Sequence, residues 1–412
     1  MIDESLVIVL ILFSLYAIPG IAAQGDPRVS RILAMGTAAH TPILTYWFVN
    51  EPSTDPTVIP IKVWGTVSGS DITRFMRIYF PRSFEELLRY DFFFLASVDT
   101  TFITPRNQQW LYDVLAEFPR AAVNTRSIMS GVSIYYEPWR DSILSLAFPN
   151  DVEAVIADQT NFQGVRGPLV INDDPKIPSI MRPYKRMLEP MFTDYGGLNT
   201  VPRQGSVILS YTKNNQGVGS PVPGRIAHIF YWNWSRSITF TFRDKPNDAF
   251  WSPMSLSNPY STDIVMNAIW WSTGKELPQD PFKVHEYRRL VFDYAIQRSL
   301  LISLLEFAEL FGADGSGIYA ESNTIDEGRQ RSGELYLDRD FEKAHEAIEA
   351  AFKDLVDLQD KSMRLKNRAL FWVFLAEWLA TMSTLMISGV ILWTLMVKKT
   401  LHRETTSTRW RK

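Results

Sequence analysis

Three kinds of hydrophobic pattern succeed one another along the chain. Between residues 58 and 275, short apolar runs of strand length alternate with stretches of helical period. VIPIKVWGT (Val58–Thr66) predicts a strand. Ser83–Tyr90 predicts a helix capped by Ser83, with Glu86 completing a capping box. DFFFLASVD (Asp91–Asp99) is continuously apolar, as a parallel strand buried on both faces must be. Thr104-Pro105 opens a helix through Trp110, Leu111, Val114 and Leu115, because threonine caps and proline fits the first helical position. Ala121–Thr125 is the next strand. This rhythm predicts an α/β fold built on a doubly wound, mostly parallel, flavodoxin-like sheet. Gly205–Asn214, Gly224–Trp234 and Arg236–Phe242 are later strands returning to that sheet. Ser261–Gly274 is a closing helix, capped by Ser261 or Thr262, with an apolar stripe of Ile264, Val265, Ala268, Ile269 and Trp271.

Beyond residue 281 the period becomes helical throughout. Residues 283–311 form an apolar-rich helix with Tyr287, Leu290, Val291, Tyr294, Leu301, Leu304, Leu305, Ala308 and Phe311. Residues 338–368 carry Phe341, Ala344, Ile348, Ala351, Leu355, Leu358 and Leu365 at a 3.5-residue spacing, with Ser362 as a polar break. Residues 312–337 are rich in glycine and charge and read as a mobile loop. Two matched helices joined by one loop predict an antiparallel hairpin. The loop near Gly315 then points away from the membrane, and the preceding domain sits low on it. The heptad seam also suits a homo-oligomer.

The third pattern is unbroken apolar sequence. Ser5–Ala23 is uncharged, ends in Pro19-Gly20 and small residues, and turns polar at Gln24. It predicts a signal peptide cleaved after Ala22 or Ala23, or an N-terminal anchor. Leu379–Val397 has no charge and predicts a transmembrane helix, with Trp372, Trp378 and Trp393 at interface depths. Lys398, Lys399, Arg403, Arg409, Arg411 and Lys412 follow it. The expected arrangement is a single-pass protein of the cell membrane, with most of the chain extracellular and the C-terminus cytoplasmic. Glu377, two residues before the span, is either an interfacial carboxylate or a contact to a membrane-protein partner.

Composition narrows the chemistry. The chain of 412 residues has no cysteine, which excludes disulfides, thiolate nucleophiles and thiolate-bound metals. Net charge is −3, so nucleic acid is not an expected partner. No metal site and no cofactor is expected. Asp173-Asp174 before Pro175 suits a solvated turn better than a cation site. Gly217-Val218-Gly219-Ser220 links strand to strand and lacks the helix that a phosphate cradle needs. Tyr231-Trp232-Asn233-Trp234 and Trp270-Trp271 are core and cover, or stacking platforms for a surface glycan. Asn233-Trp234-Ser235 is a glycosylation sequon.

The succession YDFFFLASVDTTFITPRNQQWLYDVLAE, AAVNTRSIMSG, GSVILSY, PGRIAHIFYWNW, NDAFWS and IVMNAIWWSTG resembles the class I glutamine amidotransferase-like fold, including its trehalose-utilisation branch. The resemblance covers roughly residues 30–277. FWVFLAEWLATMSTLMISGVILWTLMVKKTLHRE is similar to the anchors of archaeal membrane proteins. Active members of the family carry a cysteine on the elbow after the third strand. The matching turn here is Arg126-Ser127-Ile128-Met129-Ser130-Gly131, with no cysteine. Ser127 or Ser130 with His40 or His228 would be the substitute, but the G-x-S-x-G elbow is missing and His228 sits in an apolar strand. The resemblance therefore implies a degenerate domain that binds without covalent catalysis. Asn124, Arg126, Ser127 and Ser130 would line its crevice, with Arg126 donating to a carboxylate or sugar hydroxyl. The alternatives are a surface hydrolase working on glycan or amide through serine or metal, and an accessory subunit of a membrane complex. The expected domains are 1–23 (signal or anchor), 24–280 (α/β), 281–368 (helical hairpin), 369–397 (juxtamembrane and span) and 398–412 (basic tail).

Overall fold

The computed structural model describes residues 26–37, 41–62, 68–96, 98–125, 139, 141–151, 165–195, 201–213, 224–243, 250–251 and 258–408. The apolar segment 5–23, the turn 126–131, the loop 217–220 and the end of the basic tail lie outside them. The chain divides into two compact units. The first runs to His285 and includes Tyr336–Arg339; the second holds Glu286–Leu335 and the residues from Asp340 onward.

The first unit is a mixed α/β structure. Its strands are β1 (Ser30–Thr37), β2 (Thr54–Lys62), β3 (Phe92–Ala96), β4 (Ala121–Thr125), β5 (Asn150–Asp151), β6 (Val165–Ile171), β7 (Phe192–Tyr195), β8 (Val201–Pro202), β9 (Val207–Lys213), β10 (Arg225–Trp234) and β11 (Ser237–Phe242). Nine of them form one sheet in the order β2-β1-β3-β4-β11-β10-β9-β6-β7. The first five are mutually parallel, and every pairing from β11 to β7 is antiparallel. The expectation of a mostly parallel sheet therefore holds for one half only. The physical reason is the hairpin β10–β11, whose two-residue loop Ser235-Arg236 turns the chain back at once (Ser235 φ 52°) and forces antiparallel pairing.

Helices cover both faces of the parallel half. The helices of this unit are α1 (Thr41–Phe48), α2 (Gly69–Tyr79), α3 (Phe84–Leu87), α4 (Pro105–Glu117), α5 (Lys185–Leu188) between β6 and β7, and α6 (Ser261–Ser272). Leu33, Met35, Phe93, Leu95 and Ala122 pack against Ile72, Met76, Leu87, Leu111 and Val114 of α2–α4. On the opposite face Phe94 meets Trp47 and Phe48 of α1 at ring distances of 5.7 and 5.6 Å. Tyr231 and Phe240 meet Trp271 of α6. All five residues of β3 are buried, so its unbroken apolar run is what the two-sided packing requires.

Local chemistry explains the helix starts. Thr104 Oγ1 accepts from the Asn107 amide at 3.3 Å, with Pro105 in the first turn. Ser83 Oγ accepts from Glu86 N, but the Glu86 carboxylate reaches the Arg82 amide rather than closing a capping box, and α3 is a single turn. The closed box is at α2, between Ser68 and Asp71. Neither Ser261 nor Thr262 caps α6: the helix begins at Ser261, behind Tyr260.

The second unit corrects the hairpin. It holds α7 (Pro281–Leu310) from Glu286 onward, α8 (Ser316–Leu337) as far as Leu335, and α9 (Phe341–Thr408). The stretch expected as a mobile loop is α8. Its inward stripe is Ser322, Ile325, Ser332 and Tyr336, two of the four being serine, so no hydrophobic period marks it. Tyr294 Oη and Arg298 Nε of α7 both donate to Asp326 of α8 at 2.8 Å. Lys361 of α9 pairs with Glu321 of α8 at 2.5 Å, and His345 of α9 lies 3.9 Å from Glu286 of α7. With a third helix present, α7 and α9 run parallel. The 311–315 turn therefore lies at the end where α9 continues into its apolar stretch, not at the opposite end.

Candidate functional site

Two features of the described residues bear on function: the carboxyl edge of the parallel strands, and the C-terminal half of α9.

At the carboxyl edge, β1 leads to α1 on one face, while β3 leads to α4 on the other. Open sheets bind ligands where connections diverge in this way. β1 and β3 come so close there that a Cβ on Gly36 would lie 3.1 Å from Ala96 Cβ and Leu44 Cδ1, a tight fit that those side chains would have to yield to by a few tenths of an ångström. Asn124 occupies the next-to-last position of β4, level with Leu95 of β3 and Thr241 of β11. Arg126, Ser127 and Ser130 lie outside the described residues. Asp99, just past β3, is buried and spends Oδ1 on the amide and hydroxyl of Thr101, at 3.0 and 2.6 Å.

His228 belongs to the interior. The register of β10 against β9 skips it, making a β-bulge, and its Nδ1 lies 3.1 Å from Ser210 Oγ with both residues fully buried. Rings of Phe250 and Trp251 flank the imidazole. Asp173 and Asp174 form a solvated turn: Asp173 pairs with Lys185, and Asp174 accepts from the Lys176 amide at 2.9 Å. Among the described residues no cluster of three or more carboxylates and imidazoles is placed to hold a metal ion. The aromatic runs pack within the fold. Trp232 Nε1 donates to Thr239 Oγ1 at 2.8 Å, Trp234 meets Tyr112, and Trp270 Nε1 donates to Ser53 Oγ at 3.1 Å. Asn233 is exposed, but the Ser235 hydroxyl of its sequon donates to Ala116 O at 2.6 Å.

Two groups with chemical character escape sequence reading because their partners are remote in sequence. His285 Nδ1 lies 2.7 Å from Asp263 Oδ2, whose side chain is 1% exposed, so the carboxylate fixes the ring's orientation. Lys275 lines a polar cleft of about 340 Å³ at the amino edge, with Asp26, Arg31, Arg89 and Asp91. Its ammonium donates to Arg28 O and Ser30 Oγ at 2.7 and 2.8 Å, and burial pushes its pKa down.

The second half of α9 is unlike any other helix here. Its apolar window has a mean hydropathy of 1.7, and none of it is buried within the protein. Among the described residues it is the one helix long and apolar enough to cross a membrane. Four of its hydroxyls bond within the helix: Thr381, Ser383, Thr384 and Thr394 each donate to the carbonyl four residues back, at 2.7–2.9 Å. Thr73, Ser303 and Thr324 make the same bond in other helices, so it is a general helix feature and the apolar exposure is what sets this stretch apart. Glu377 is exposed at the near end of the stretch.

No family model matches the chain, and no curated protein matches it. Among solved structures, the chain is similar to the cytoplasmic protein STM3548 from Salmonella typhimurium, at 13% identity and a TM-score of 0.40, over 58% of this chain and 98% of that one. The cytoplasmic protein STM1381 from Salmonella typhimurium LT2 matches at 13% identity and a TM-score of 0.38, over 59% and 97%. Likeness at this level carries no functional argument.

Proposed function

We propose that this is a single-pass membrane protein whose sheet unit binds a ligand or partner outside the cell, without covalent catalysis. The observation that carries the reading is the long, exposed, apolar half of α9. In this reading the N-terminal segment directs export, Leu379–Val397 stops it, and the basic tail remains in the cytoplasm. The sheet unit is a degenerate amidotransferase-like domain of doubly wound type. Five parallel strands with helices on both faces support that assignment, and the absence of cysteine removes the thiolate its relatives use. Asn124, Arg126, Ser127 and Ser130 are its candidate ligand-binding residues, with a carboxylate or a surface glycan as the expected ligand class. Glu377 and the helical unit serve contacts with a membrane partner or a second copy.

Purification of the full-length protein from native membranes in mild detergent, followed by mass spectrometry, tests the reading. A stoichiometric partner, or a glycan bound by wild type and lost with Arg126→Ala, supports it. Recovery in the soluble fraction with neither would overturn it.

A further inference from the structure

The end of α7 and the turn after it carry three large apolar side chains that stay partly exposed, although the rings of Phe307 and Phe311 pack 4.9 Å apart. Phe307 is 40% exposed, Leu310 81% and Phe311 36%. Such residues at a solvated tip are costly unless something covers them. The parallel course of α7 and α9 indicates what does. Glu286 and His345 face each other. Twenty-four residues further along, α7 reaches Leu310 and α9 reaches Ala369. Both helices rise ~1.5 Å per residue, so these two positions are level. The Glu321–Lys361 pair gives the same level independently, since it places the start of α8 beside the residues just before Ala369.

Ala369 is where the apolar part of α9 begins. From Ala369 to Val397 the only charged residue is Glu377. At ~1.5 Å per residue the stretch is about 43 Å long, the thickness of a bilayer including its headgroup layers. Its first turns expose Phe371, Trp372, Phe374 and Trp378, side chains that settle at the interface. The tip of α7 is therefore level with the outer headgroup layer.

We infer that Phe307, Leu310 and Phe311 form a second membrane contact, a shallow wedge seated in the lipid headgroup region beside the span. The occupant is the bilayer, because the neighbouring helix enters it at that level. Exposed Glu306, Glu309 and Asp314 flank the wedge and keep it shallow. Arg364 and Arg368 of α9, both exposed at the same height, suit lipid phosphates. With the wedge seated, the helical unit is held at two points and cannot swivel freely about one helix. The inference rests on reading α9 as a membrane span.

Because the chain has no cysteine, single labels are straightforward. Full-length Leu310→Cys, Glu327→Cys and Val390→Cys proteins are spin-labelled in vesicles of phosphatidylcholine and phosphatidylglycerol. Collisions with oxygen and with a water-soluble nickel chelate then report depth. The expected order is Val390→Cys deep in hydrocarbon, Leu310→Cys at the interface with nickel collisions about threefold below those of Glu327→Cys, and Glu327→Cys in water. Nickel access at Leu310→Cys equal to that at Glu327→Cys, with Val390→Cys deep, would overturn the wedge and leave the span intact. Spin–spin broadening at Leu310→Cys would assign the face to a second copy and also overturn it. Water access at Val390→Cys would remove the membrane reading, and the wedge with it.

Discussion

The two halves of α9 are one uninterrupted helix under two different rules. From Phe341 to Ala369 the buried positions are Ala344, Ile348, Ala351, Leu355, Leu358, Ser362 and Ala369, and charges fill the remaining face. That is a 3.5-residue period, set by packing against other helices on one side and water on the other. From Leu370 to Val397 there is no period. Apolar side chains project all round, Trp393 being 72% exposed. Backbone geometry is shared, so the difference lies in the surroundings each half is built for. A helix with water on one side needs a stripe; a helix in hydrocarbon needs only that its polar atoms be satisfied internally.

The largest expected effect comes from breaking the second rule. Ile387→Arg combined with Val390→Arg costs about 5–7 kcal/mol of insertion, at ~2.5–3.5 kcal/mol per charge near the helix centre. The chain should leave the membrane fraction on alkaline extraction. Retention there would erase the distinction between the halves. Within the first half, Leu355→Ala at a fully buried position should cost about 2–5 kcal/mol, because the cavity only partly collapses. Its neighbour Val356 is exposed, and Val356→Ala should stay within about 0.5 kcal/mol. Denaturant unfolding of the full chain in detergent, by helix signal, measures both; equal costs would deny the stripe. Asp326→Asn keeps the shape but removes the charge that Arg298 and Tyr294 share, at about 1–2 kcal/mol. Arg298→Met in the same background should add little if the pair is what stabilises.

An effect comparable to that of Asp326→Asn lies in the sheet unit. Burial holds the Lys275 amine below its ordinary 10.5, so the unfolded chain binds that proton more tightly. Stability contributed by this group therefore rises with pH as it climbs from the folded pKa toward 10.5. Lys275→Met should lose that alkaline rise, and about 1–2 kcal/mol at all pH with the bonds to Arg28 O and Ser30 Oγ. An unchanged slope would show that the ammonium is solvated.

Much of the sheet was legible because its strands obey local rules. β3 is unbroken Phe-Phe-Phe-Leu-Ala, β4 matches Ala121–Thr125, and Thr104-Pro105 announces α4. What escaped depends on partners remote in sequence. β6 carries Gly167-Pro168, residues that seldom mark a strand interior; a Cβ on Gly167 would lie 2.1 Å from Lys213 O, so β9 selects that glycine from outside. α8 hid because serine lines its inner face. Missing it inverted the expected position of the 311–315 turn, since each added helix reverses the chain. Of the candidate crevice, the sequence located Asn124 at the end of a central parallel strand, and the pairings of β4 place it there. The Asp263–His285 and Lys275 groupings had no sequence signature, because their members meet only through folding.

The measurement that bears most directly on the account is sidedness. Asn233→Cys and Thr406→Cys, made singly in the full chain, are treated on intact cells with a membrane-impermeant maleimide. The account predicts labelling at Asn233→Cys at once, and at Thr406→Cys only after permeabilisation. The reverse pattern, or recovery of both proteins from the soluble fraction, would contradict it.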